Sequence, residues 1–131
     1  MTSAKVKELM AEINGAFKDT VLTTANDPNY TVTYLPTGLV PIDLLLHGGL
    51  PRGRFVEVYG DFSTLKSYVG YHAIAETQRN GGICALIDTE RSFDPKWAAS
   101  IGVNVDELLM PRRQDMETGE QAIDMAETLV R

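Results

Sequence analysis

Cysteine is almost missing from this 131-residue chain: Cys84 stands alone, so no disulfide can close within it. A lone thiol fits a reducing compartment. His47 and His72 have no companion ligands at metal-binding spacing, and no metal chemistry is assigned to them. No apolar run approaches the roughly 20 residues that a membrane-spanning helix needs. The segment from Met1 to Met10 has no apolar signal core and already carries Glu8, so a secretory leader is not expected. Together these absences point to a cytoplasmic chain that does not touch membranes. Positive charge is also in short supply. Twelve Lys and Arg face 18 Asp and Glu, a net charge of −6. Residues 101–131 hold seven carboxylates against three arginines, which is −4 of that −6. A domain that grips nucleic acid unaided shows a basic face. None is visible, so any DNA contact has to come from a local patch, from other subunits or from sequence outside this chain.

What is present is ordinary for a globular protein, with 44% hydrophobic and 23% charged residues. The length suits a single core. Val6, Leu9, Met10, Ile13 and Phe17 fall at the spacing of one helical stripe, with Ser3 as its expected cap. Thr20 to Asn29 reads as a linker, so residues 1–30 form a helical arm and residues 31–131 the main domain. The arm can fold back on its own domain or pack on a neighbouring copy. In the main domain, Thr31–Tyr34 is a short β-type run and Val40–Leu46 a short helix opened by Pro41. Gly48 to Gly53 is a tight loop. Arg54–Tyr59 reads as a strand, Lys66–Gln78 as a helix ended by Gly81-Gly82, and Ile83–Ile87 as a strand buried on both faces. A helix opens at Asp94-Pro95 and runs to about Ile101. Leu108–Met110 reads as a third strand, and Thr118 opens the last helix. Alternating strands and helices predict an α/β fold, a parallel sheet flanked by helices.

The segment Gly60-Asp61-Phe62-Ser63-Thr64-Leu65-Lys66-Ser67 lies between an expected strand and an expected helix. It matches three of the four fixed positions of the phosphate-loop pattern G-x-x-x-x-G-K-[ST]. Backbone N–H groups and a helix N-terminus offer partial positive charge to an anion. Lys66 would add a full charge at the β- and γ-phosphates, and the Ser67 hydroxyl would ligate Mg²⁺. The second glycine is replaced by Leu65, at a place where glycine takes torsions a side chain resists. Chance would produce these matches in roughly one chain of this length in fifteen, so the loop alone does not decide the matter. A second group follows the apolar strand, from Asp88 through Glu90 to Asp94 and Trp97. Carboxylates at the C-terminal end of a parallel strand sit where open α/β sheets bind ligands, and one could orient an attacking water. By spacing, Asp88 could pass for a Mg²⁺ ligand. Asp94 before Pro95 also reads as a simple helix start, and Trp97 as a core anchor.

The run from Thr37 to Arg131 resembles the RecA family of DNA-strand-exchange ATPases. The matching pieces are Thr37-Gly38, Ile42-Asp43, Gly48 to Arg54, Val56 to Gly60, the loop itself, Ile87 to Glu90, Asp94-Pro95, Ile101 to Val103, Leu108-Leu109 and Thr118 to Ala122. The resemblance implies an ATP site with Mg²⁺. Residues 60–67 would form the phosphate loop, with Lys66 on the phosphates and Ser67 on the metal. Glu90 falls on the family's catalytic glutamate, and Asp94 and Trp97 on positions that contact adenine. It also implies that the N-terminal helix docks on the adjacent subunit of a filament built on single-stranded DNA. Bulky residues at the Leu65 position occur in bacteriophage UvsX-type members, which makes a phage-type recombinase the closest resemblance. Against the family pattern, the strand with the Walker-B aspartate and the DNA-binding loops are missing, so a partial core is expected. A second polypeptide could supply the remainder. Two other classes fit the same residues: a non-catalytic truncated protomer acting as an interaction module, and another P-loop ATPase of the same superfamily.

Overall fold

The computed structural model describes residues 4–18, 20–112 and 118–130. The cap expected at Ser3 and the chain end at Arg131 lie outside the described residues. Contacts divide the chain into two compact units, Met1–Thr33 and Tyr34–Arg131.

In the first unit, helix α1 spans Ala4–Phe17 and buries none of its residues. Val6, Leu9 and Phe17 of its stripe are 43%, 55% and 69% exposed. Asn14 holds the chain that follows. Its Oδ1 accepts from the backbone N–H groups of Val21 (2.9 Å) and Leu22 (2.8 Å), and its Nδ2 donates to the Leu22 carbonyl (3.0 Å). The segment read as a linker ends in a 3₁₀ turn, Pro28–Tyr30, capped by Asp27. The Thr23 hydroxyl and the Asn29 backbone amide hold the Asp27 carboxyl below its usual range.

The second unit begins with strand β1 (Tyr34–Leu35), helix α2 (Val40–Leu45) and strand β2 (Leu50–Pro51). β1 and β2 pair antiparallel, Tyr34 opposite Pro51 and Leu35 opposite Leu50. Gly49 makes this pairing possible: a Cβ there would stand 2.1 Å from the Leu35 carbonyl oxygen. The fully buried Thr37 ties the turn to α2. Its N–H and hydroxyl both donate to Asp43 Oδ1, at 2.8 and 2.7 Å.

Helices α3 (Lys66–Arg79) and α4 (Pro95–Ile101), strands β3 (Cys84–Ala85) and β4 (Leu108–Leu109), and helix α5 (Gly119–Leu129) complete the fold. β3 and β4 pair parallel, Cys84 with Leu108 and Ala85 with Leu109. A parallel pair requires a crossover, and α4 lies in it. The core is Tyr71 and Ala75 of α3, Ala98 of α4, Val103 and Leu108, with Ile74, Cys84, Leu86, Phe93, Ile101 and Val105 packed around them. Ala75 and Ala98 are both fully buried, and their small side chains let α3 and α4 approach closely. Gln78 adds a polar clasp, donating to the Asn104 carbonyl and accepting from the Asn104 N–H, both at 2.9 Å.

Three expectations need correction. Among the described residues the parallel sheet is a single two-stranded ladder of two residues per strand, and the antiparallel pair is separate from it. Residues 54–59 do not form a ladder strand, and Phe55 and Tyr59 are 108% and 86% exposed. The run Ile83–Ile87 keeps only Cys84–Ala85 as strand and is not buried on both faces, since Ile83 is 84% exposed. The cause is common to all three: a strand is completed by neighbours supplied from elsewhere in the chain, and among the described residues these segments lack them. The β-type run expected at Thr31–Tyr34 is displaced to Tyr34–Leu35, and its partner strand Leu50–Pro51 falls inside the expected loop from Gly48 to Gly53.

Candidate functional site

The loop from Gly60 to Leu65 leads straight into α3. Two residues carry its turn: Ser63 at φ 59° and Leu65 at φ 63°, ψ 22°, both in the left-handed region. Thr64 braces it, its hydroxyl donating to the Asp61 carbonyl at 2.8 Å. Leu65 is the N-cap residue of α3 and provides no side-chain cap. The first-turn amides of a 14-residue helix therefore keep their donor capacity facing the loop, with the positive end of the helix dipole behind them. Lys66 reaches back over the loop, and its ammonium donates to the carbonyls of Gly60 (2.8 Å) and Asp61 (2.6 Å). An ammonium has three donors, so these two bonds do not exhaust it. This is an arrangement that can take up an anion.

The cleft at this loop has a volume of about 650 Å³ and is lined by Gly60, Asp61, Phe62, Ser63, Thr64, Leu65, Lys66, Ser67 and Tyr68 together with Glu90 and Trp97. Two residues expected from the sequence, Glu90 and Trp97, thus face the loop from a different part of the chain. A smaller adjoining hollow of about 310 Å³ holds Lys66, Ser67, Asp88 and Glu90 among its walls. Leu65 and Phe62 stand 62% and 98% exposed, so the loop's apolar side chains are not buried in a core.

Asp94 stays outside the lining of the larger cleft. It caps α4, Oδ1 accepting from the N–H groups of Lys96 (2.9 Å) and Trp97 (3.2 Å). Asp88 is likewise occupied by backbone, its carboxylate accepting from Ser92 N–H (3.2 Å) and Phe93 N–H (2.9 Å). It clasps the loop that carries Glu90. Trp97 is 40% exposed and meets the buried Tyr71 edge to face, ring centroids 5.1 Å apart at 74°. Tyr71 in turn meets Phe93 at 5.8 Å and 85°. Burial, then the carboxylates of Asp88 and Asp94, push the Tyr71 phenol above its usual range. Sequence reasoning missed Tyr71. Its one signal was an aromatic five residues after Lys66, on the helix the loop opens.

Among the described residues no group of three or more His, Cys, Asp or Glu could hold a metal ion. Ser67, exposed at the start of α3, offers a single hydroxyl. That donor set fits a cation carried in largely by phosphate oxygens and water rather than one held in a protein cage.

A glycine-bearing loop feeding an uncapped helix with Lys-Ser at its start, opposite an acidic loop after a parallel strand, places the chain among the α/β proteins. The chain belongs to the RecA family: the model of the RecA N-terminal domain matches residues 4–131. Its relatives include protein RecA of Herpetosiphon aurantiacus, 42% identical over 123 residues covering 93% of this chain and 34% of that protein. Protein RecA of Clavibacter michiganensis is 45% identical over 124 residues, covering 93% and 33%. That of Nitrobacter winogradskyi is 48% identical over 107 residues, covering 81% and 29%. The chain spans about a third of the length of the curated relatives it matches. No helix among the described residues is long and apolar enough to cross a membrane.

Proposed function

We propose that this chain is the ATP-binding part of a RecA-type recombinase acting in homologous DNA recombination and repair. The observation that carries the reading is the convergence of Glu90 and Trp97 on the cleft formed by residues 60–68. In this reading the α3 amides and Lys66 hold the triphosphate, and Ser67 supplies a hydroxyl to Mg²⁺. The metal, when bound, would neutralise charge on the β- and γ-phosphate oxygens. Glu90 orients the attacking water, and Trp97 covers the adenine. Asp94 contributes through the N-terminus of α4 that it caps. The whole protein forms a filament on single-stranded DNA in the cytoplasm and exchanges strands, with the exposed stripe of α1 docking on the neighbouring protomer. Further polypeptide, in the same chain or a second one, provides the DNA-binding elements. The relatives described above are bacterial, so a UvsX-like affinity rests on Leu65 alone.

The test is titration with a fluorescent ATP analogue and Mg²⁺, using wild type beside Lys66→Ala and Leu65→Gly. Saturable binding is expected, weakened at least tenfold in Lys66→Ala and tightened in Leu65→Gly. Equal binding by wild type and Lys66→Ala would overturn the reading. A second reading, a non-catalytic protomer that acts as an interaction module, is favoured by the exposure of Phe55 and Tyr59 and by an α1 without buried residues. It predicts docking of an α1 peptide on a full-length relative without any nucleotide requirement.

A further inference from the structure

Helix α3 begins at the loop that lines the cleft and also carries Tyr71, which touches Trp97 of the same lining. Lys66 and Ser67 open α3, and Tyr71 follows on the same helix, about 7.5 Å further along the axis at 1.5 Å per residue. Tyr71 is 6% exposed and meets the rings of both Phe93 and Trp97 edge to face. Trp97 is the one tryptophan of the chain and lines the same cleft as the loop.

The backbone that carries Trp97 has supports besides the Tyr71 ring, although Tyr71 shares the buried core with Ala98. Asp94 caps α4, and Ala98, the next residue, is fully buried in the core. At its C-terminus the N–H groups of Gly102 and Val103 return to the carbonyls of Ala99 (3.0 Å) and Ala98 (3.1 Å), with Gly102 in the left-handed conformation at φ 112°. The indole itself is 40% exposed. A contact with the Tyr71 ring at 74° can occupy at most one of its faces, and edge-to-face pairs have a defined geometry.

We propose that Tyr71 is a positioning residue for nucleotide recognition: its buried ring sets the orientation of the Trp97 indole so that a free indole face stacks on the base of a nucleoside triphosphate whose phosphates lie on residues 60–67. This rests on the nucleotide-site reading above. It divides the work of α3 between its first turn, which recognises phosphate, and its second, which acts on the base through Trp97. Loss of Tyr71 should therefore weaken binding of a nucleotide and leave binding of a base-free polyphosphate alone.

The full chain is titrated with ATP and with inorganic tripolyphosphate, each with Mg²⁺, following Trp97 emission, which no other tryptophan obscures. Displacement of the fluorescent ATP analogue serves the variants that lack Trp97. Tyr71→Phe is expected to bind both ligands within twofold of wild type. Tyr71→Leu is expected to bind ATP about tenfold more weakly with tripolyphosphate unchanged, and the indole anisotropy should fall. In a Trp97→Leu background, adding Tyr71→Leu should change ATP binding less than twofold. Circular dichroism checks that the Leu variant keeps its helices, and Tyr71→Met, which fills the space without a ring, replaces it if it does not. Wild type that binds neither ligand overturns the nucleotide-site reading and this proposal with it. Wild type that binds ATP, with Tyr71→Leu either unchanged or losing both ligands equally, overturns the role of Tyr71 alone.

Discussion

Leu65 sits in the left-handed region, at φ 63° and ψ 22°, where a Cβ crowds the backbone and costs an L-residue about 1–2 kcal/mol. Among the described residues five non-glycine residues have positive φ, and three of them, Ser63, Leu65 and Arg91, lie in the two loops around the cleft. Clustered strain of this kind is characteristic of functional sites. Leu65 is 62% exposed, so its side chain returns little burial energy. Leu65→Gly removes the steric cost and adds roughly 0.5–1 kcal/mol of unfolded-state entropy. The net expectation is a gain of about 0.5–1 kcal/mol in urea denaturation. Leu65→Val, branched at Cβ, is expected to lose about 1 kcal/mol or more, because that torsion is a true outlier for such residues. Equal stability of the Val and Leu chains would mean that the backbone at 65 is not left-handed in solution.

Helix ends are the best-determined elements. Thr118 and Gln121 form a reciprocal capping box on α5, with bonds of 3.1 and 3.3 Å, and Asp94 caps α4. Replacing Asp94 by Ala is expected to cost about 1 kcal/mol, and Asp94→Ser to recover most of it, since a serine hydroxyl also accepts from first-turn amides. The same pair of variants separates stability from ligand recognition: restored stability with ATP binding still lost would show that the carboxylate itself meets the nucleotide, whereas recovery of both leaves Asp94 as a cap. Caps, proline starts and glycine stops are local signals, which is why α3, α4 and α5 could be read from the sequence to within a residue or two. The strands could not. Arg54–Tyr59 has the composition of a strand, but what makes a strand is its neighbour, and composition does not encode that. The loop was visible as a motif with spacing, whereas Glu90 was singled out through the family resemblance. Tyr71 was not, because its part in the site depends on where Trp97 and Phe93 arrive in space.

At the scale of the whole molecule, charge and exposed aromatics pull in opposite directions. Net charge is −6 and the isoelectric point about 4.8, which repels a polyanion. Against this, Phe55, Tyr59 and Phe62 are 86–108% exposed, and stacking of a base on an aromatic ring is worth about 1–3 kcal/mol. The cations near them in sequence are Arg52, Arg54 and Lys66. Even if all three reached phosphates, the logarithmic salt slope for a single strand would be no steeper than about −2, at roughly 0.7 per phosphate neutralised. Stacking without a basic track also gives no continuous path for a backbone. The chain alone is therefore expected to hold a labelled oligo-dT only weakly, with half-saturation above about 100 µM at physiological salt, the weak end of non-specific binding. Fluorescence anisotropy at about 50 and 200 mM salt measures both quantities. Micromolar binding with a slope steeper than −3 would mean that a basic surface forms on this chain by itself, and the need for further polypeptide to grip DNA would fall.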